Sequence, residues 1–167
     1  MVLTKAELIT ALQHEVHILQ HLMSKIEPQM LDYRPSEKQR SLLELLQYLT
    51  ILGPIHLRGT LADTFSMDGW REAWTTGEAT SKALDLEGVK QAVADLKPLF
   101  ADLLNAFPDE RLREDFNLFG RSATRGSWLV TLVQNHYVAY RMQVFLYLKA
   151  AGCDKLWTMN LWAGVDG

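Results

Sequence analysis

At 167 residues the chain is long enough for one domain with its own core, and it needs neither disulfides nor a structural metal to fold. Hydrophobic residues make up 48% and charged residues 22%, while a net charge of -3 offers no broad field for nucleic acid or anionic lipid, so those partners are not expected. A single cysteine, Cys153, excludes an internal disulfide and any multi-cysteine metal site.

The opening MVLTKAELITALQHEVH turns polar too soon for a signal peptide, and no apolar run approaches the ~18 residues of a membrane span. A cytoplasmic protein without a membrane partner is expected. Thr4, Lys5, Ala6 and Glu7 have the spacing of a capping box, which starts a first helix. Its seam of Ile9, Leu12, Val16, Leu19, Met23 and Ile26 runs to about Glu27, with Pro28 as the stop. His14, His17 and His21 have metal-like spacing, yet they centre roughly 165° from that seam and so face solvent or a partner. A ligand set at the surface is the alternative.

After the connector LDYRPSEKQRS, a second capping box at Ser41 to Glu44 opens the helix SLLELLQYLTILGPIHLRGTL. Its inward stripe is Leu42, Leu45, Leu46, Leu49 and Leu52, with His56 on the same side if the helix stays straight across Gly53 and Pro54. His56 is then either a hydrogen-bonded residue of the core edge or a pocket group. Tyr48 flanks the stripe, where a phenol packs its ring and still reaches a polar partner. From about Asp63 to Glu87 the periodicity lapses into a long connection, in which Trp70 and Trp74, one turn apart, mark a short helix lying on the bundle. A third helix carries Val89, Val93, Leu96, Phe100, Leu103 and Phe107, with a bend rather than a break at Pro98. The mixed stretch PDERLREDFNLFGRSATRG predicts one helical turn and an irregular or extended piece.

Trp128 to Gly152 forms the fourth helix. At ~100° per residue its inward face is Leu129, Leu132, Val133, His136, Tyr140, Gln143, Val144 and Tyr147. His136, Tyr140 and Gln143 thus fall mid-seam, where burial is costly without a polar partner. A pocket inside the bundle accounts for them, and a satisfied polar layer of the core is the alternative. Val138 and Phe145 point outward where a solvated helix prefers charge, so a homodimer, or cover from the tail, is expected to bury them. Gly152 caps the helix, and the apolar tail of Leu156, Trp157, Met159, Leu161 and Trp162 should dock. Four seamed helices with one long crossover give an all-α, single-domain four-helix bundle over residues 1–167, ordered up-down-down-up.

The runs YRPSEKQRSLLELLQYL and FGRSATRGSWLVTLVQNHYVAYRMQVFLYLKAAG, together with the tail MNLWAGVD, resemble the DinB-like superfamily of four-helix bundles over nearly the whole length. That superfamily includes metal-dependent thiol transferases as well as members of unknown activity. Members with metal place one histidine on helix two and two more, four residues apart, on helix four, as a zinc or nickel ion needs. The equivalent positions here read Tyr48, His136 and Tyr140. One imidazole and two phenols of pKa ~10 are poor zinc ligands, so no metal or other cofactor is expected, with zinc or nickel as the alternative. The expected site is instead a metal-free polar pocket of Tyr48, His56, His136, Tyr140 and Gln143, in which His136 hydrogen-bonds to Tyr48 or Tyr140 or shares a water with them. The resulting expectation is small-molecule binding or a role in assembly. The resemblance implies, as the alternative, a divalent-metal-dependent transferase acting on a low-molecular-weight thiol. No catalytic residue is assigned, and whether the chain is an enzyme stays open.

Overall fold

The computed structural model describes residues 3–166. Helix α1 (Lys5–Met23) starts at the expected box: Glu7 N–H donates to Thr4 Oγ1 at 3.2 Å, and Thr4 N–H donates to the Glu7 carboxylate at 2.7 Å. The helix stops at Met23, earlier than the seam suggests, and the chain passes into a 3-10 turn at Pro28–Met30. Its buried face is wider than one seam, and includes Leu8, Glu15, Ile18 and Leu22, because helices and the C-terminal tail cover it on several sides.

Helix α2 (Leu42–Leu61) starts at the Ser41–Glu44 box and continues through Pro54. A side chain from the fourth bundle helix supports that passage. Tyr137, only 1% exposed, donates its hydroxyl to Leu49 O at 2.9 Å and also hydrogen-bonds to the Gly53 backbone. A Cβ on Gly53 would lie 2.5 Å from that hydroxyl and 2.8 Å from Phe100, so the approach requires glycine. Unbroken continuation keeps His56 on the buried side of α2, 8% exposed.

The long connection holds a helix of its own, α3 (Met67–Ser81), N-capped by Ser66. It runs antiparallel along α2, since Trp70 lies over Gly59, Gly77 faces Ile51 and Ile55, and Gln47 Nε2 donates to Leu84 O at 2.8 Å. Helix α4 (Leu86–Ala106) is unbroken at Pro98 and buries Val89, Val93, Leu96, Phe100 and Leu104. Lys5 Nζ donates to Phe107 O and Gln13 Nε2 to Lys97 O, which sets α4 antiparallel to α1.

The mixed stretch becomes a 3-10 turn (Glu110–Arg113) and a hairpin of β1 (Asp115–Leu118) and β2 (Arg121–Thr124). Phe119 and Gly120 form its two-residue turn with φ of 53° and 76°, both in the left-handed region such turns demand. The architecture is therefore a helical bundle carrying one small hairpin.

The fourth bundle helix is composite: α5 (Arg125–Leu129), a π turn (Val130–Gln134) and α6 (Asn135–Ala150). The π turn corrects the expected inward face. Its extra residue rotates the remainder of the helix, and the buried line becomes Leu129, Val133, Tyr137, Arg141, Val144 and Leu148. Leu132, His136, Tyr140 and Gln143 move to the flank and are half-buried. Phe145, expected to point outward, is buried in the core, while Val138 is half-buried. Glu15 on α1 pairs with Arg141 and Ile26 lies across a cleft from Cys153, so α6 runs parallel to α1. The order is thus up-down-down-up.

Gly152 (φ 100°) ends α6, and the tail docks on α1 through Leu156 and Leu161, with α7 (Thr158–Trp162) leaving Trp157, Met159 and Trp162 exposed. Among the described residues no helix is long and apolar enough to cross a membrane.

Candidate functional site

Helices α2, α3 and α6 meet along a line of rings. His56 and His136 stack with centroids 5.3 Å apart and 14° between planes. Tyr140 stacks on His136 at 6.1 Å and meets Tyr48 edge-on at 5.3 Å; Tyr48 in turn stacks on Trp74 at 5.5 Å. Trp70 packs beside His56 at 6.3 Å, against Trp74 at 5.7 Å and against Phe119 of the hairpin turn at 5.3 Å. The rings are eight residues apart on α2 and four apart on α3 and on α6, so they fall on facing flanks.

Four of the five expected pocket residues, Tyr48, His56, His136 and Tyr140, come together. Gln143 does not: its Nε2 donates to Tyr147 Oη at 2.7 Å, beside Tyr33. The hydrogen bonding also differs from expectation. His136 Nδ1 donates to Leu132 O at 2.6 Å, inside the π turn, and meets Tyr140 by stacking alone. Since a carbonyl only accepts, the proton sits on Nδ1 and the lone pair on Nε2. Tyr48 instead bonds to Tyr140, with the Arg40 guanidinium 4.1 Å over the Tyr48 ring.

The cluster is uncharged at neutral pH where its shifts are resolved. Burial, and secondarily His136, lowers the His56 pKa to about 4. Burial, and secondarily Tyr140, pushes the Tyr48 phenol well above its usual range. These residues do not fit a divalent transition metal. Burial favours the protonated form of Tyr48, and the three positions where a transition metal calls for imidazoles offer one imidazole and two phenols. Among the described residues no three His, Cys, Asp or Glu side chains gather as ligands.

At the His56 end the rings pack solid: the space among His56, Thr60, Trp70 and Leu132 has no volume for a water. Room lies on the other side of Trp70, in a groove of about 460 Å³ between α2 and α3. Its walls are Ile51, Pro54, Ile55, Phe65, Trp70 and Ala73, with Arg58 as its one charged residue. Sequence reasoning did not find it. The signal was present as Gly69, Ala73 and Gly77, small residues four apart on α3, which leave the gap that Trp70 and Phe65 border. The indole N–H groups of Trp70 and Trp74 and the Thr60 hydroxyl are buried without hydrogen-bond partners among the described residues.

Two further polar features serve the fold. Glu15 and Arg141 form a buried ion pair at 2.6 Å, and Arg141 also donates to Leu161 O, tying α1, α6 and the tail together. Burial raises the Glu15 pKa and lowers that of Arg141, each shift opposed by the partner's charge. The α1 histidines face the tail: His14 Nε2 donates to Trp162 O at 3.2 Å, Gly164 sits against the His17 ring, and Asn160 Nδ2 reaches His21 Nε2 at 2.9 Å. Their partner is the chain's own C-terminal segment.

An up-down-down-up bundle whose crossover carries a helix, with a ring cluster between helix two and helix four, defines the class: a compact helical-bundle protein with a flank site. The DinB family model matches residues 1–164, and the chain belongs to the DinB family. The crystal structure of a DinB-like protein from Bacillus cereus is similar at a TM-score of 0.71 and 17% identity, covering 91% of this chain and 95% of that one. A DinB-like protein from Bacillus subtilis is similar at 0.65 and 16% identity, covering 87% and 91%. No curated protein matches the chain.

Proposed function

We propose that this DinB-family chain binds a small molecule in the groove between α2 and α3 and does so without a resident metal, in the cytoplasm. One observation carries the reading: a groove of about 460 Å³, within the roughly 300–1,000 Å³ of ligand sites, has as its wall the same Trp70 that packs on His56. A ligand there touches the His56, His136, Tyr48 and Tyr140 cluster through that indole. The unsuitable donor set supports a metal-free site, and a lone cysteine suits a reducing compartment.

The test uses protein purified without a histidine tag, the neutral apolar dye N-phenyl-1-naphthylamine, and the variant Ala73→Leu, which fills the groove from an exposed position. Saturable dye binding to the native chain, lost in the variant, is expected, with no stoichiometric metal by elemental analysis. Absence of saturable binding overturns the groove; stoichiometric zinc or nickel that vanishes in His136→Ala restores the thiol-transferase alternative.

A second reading, a homodimer, no longer rests on Phe145. It rests on Met142 and Leu146, one turn apart and outward on α6, and on Trp162, 57% exposed, over which Arg141 lies at 5.3 Å. Light scattering on the same sample distinguishes the 19.0 kDa chain from twice that mass.

A further inference from the structure

We infer that the occupant of the α2–α3 groove is an apolar monocarboxylate, a small acid with an aliphatic or ring body, held at its head by Arg58. This rests on the groove being the binding site. The walls of Ile51, Pro54, Ile55, Phe65 and Trp70 select an apolar body. None of the lining residues is acidic, so the Arg58 guanidinium is the only charge on the surface a ligand meets.

Arg58 is exposed on α2 and, among the described residues, its side chain makes neither an ion pair nor a hydrogen bond. Acids of the α2–α3 connection and of α3 are paired with other cations: Asp63 with Arg111 at 3.0 Å, Asp68 with Arg71 at 3.4 Å, and Glu78 with Lys82 at 3.2 Å. Glu72 is not part of the lining. One unpaired guanidinium at the rim of an apolar groove is complementary to one carboxylate, which matches its planar fork with two parallel hydrogen bonds.

A phosphate head fits less well. It brings up to two charges against a single cation, and the N-terminal turn of α3 has already given Gly69 N–H to Ser66 Oγ at 3.1 Å.

The experiment is calorimetric titration of the full chain with octanoate, neutral octanamide and octyl phosphate, on the native protein, Arg58→Gln and Ala73→Leu. Octanoate is expected to bind once per chain. Arg58→Gln should weaken it about tenfold, the size of one charge-assisted hydrogen-bond pair. Octanamide should bind the native protein as weakly as octanoate binds the variant, and Ala73→Leu should lose both. Equal binding of octanoate and octanamide, or no effect of Arg58→Gln, overturns the carboxylate while leaving the groove in place. Octyl phosphate binding more tightly than octanoate, with the same dependence on Arg58, also overturns it. If no eight-carbon ligand binds while the naphthylamine dye does, the ligand class is wrong and the site stands; if neither binds, both fall.

Discussion

The His56 ring lies against His136 and Trp70 with almost no water around it, and its proton affinity drops accordingly. An unfolded chain takes up a proton at this residue near pH ~6.5, whereas the folded chain waits until about pH 4. Between those values the unfolded state binds more protons, so stability falls as the pH falls through the window and levels off below it. Urea unfolding at pH 7 and at pH 4.5 should show the native protein losing about 2–3 kcal/mol more than His56→Phe, which has no such proton to take up. Equal losses would mean that the ring titrates as if solvated. At this scale the sequence singled out Tyr48 beside one apolar stripe and His136 and Tyr140 within another, and the structure brings the three rings together on helix flanks rather than in a seam. The sequence was not legible at Glu15 and Arg141. Each alone reads as a solvated charge, and only the packing of α1 on α6 makes them a buried pair.

Among the elements, both capping boxes, the α4 seam as far as Phe100 and the presence of a helix in the crossover could be read from local spacing; the last turn of α4 buries Leu104 in place of the expected Leu103, and Phe107 lies just past the helix end. The fourth bundle helix could not be read this way, because a fixed angle per residue has no place for a π turn. After Val130–Gln134, every position sits about one residue's rotation from where a regular helix would put it. This is why Tyr137, Arg141 and Phe145 are inside and Gln143 is not. The turn behaves as a one-residue insertion between two segments that are each correctly packed. Deleting exposed Thr131 should therefore restore a regular helix and keep both buried lines, with an unfolding midpoint close to native. Deleting exposed Ala139 instead should turn Arg141, Val144 and Leu148 out of the core and abolish cooperative unfolding. The idea fails if the two deletions behave alike.

In the molecule as a whole, the bundle order followed from the apolar seams because four buried stripes joined by one long connection admit few arrangements. The tail was expected to dock from its composition, but its destination on His14, His17 and His21 depended on a long-range contact that spacing alone does not encode. The groove stayed hidden for a similar reason: it exists only because α3 lies antiparallel on α2, gap to gap.

Helix α3 also differs from its neighbours in how it is attached. Ser81, at its very end, is its one buried residue, and its hold on the bundle runs through the indoles of Trp70 and Trp74 and the close approach of Gly77 to Ile51 and Ile55, whereas α1, α2 and α4 interlock through fully buried side chains. Stability across the chain is then uneven, and α3 can peel away at less cost than the inner bundle needs to come apart. Amide hydrogen exchange should find α3 opening on its own, well before α1 and α4, and a saturating groove ligand should slow that opening. Cargo would be admitted and released by this outer flap while the interior stays shut.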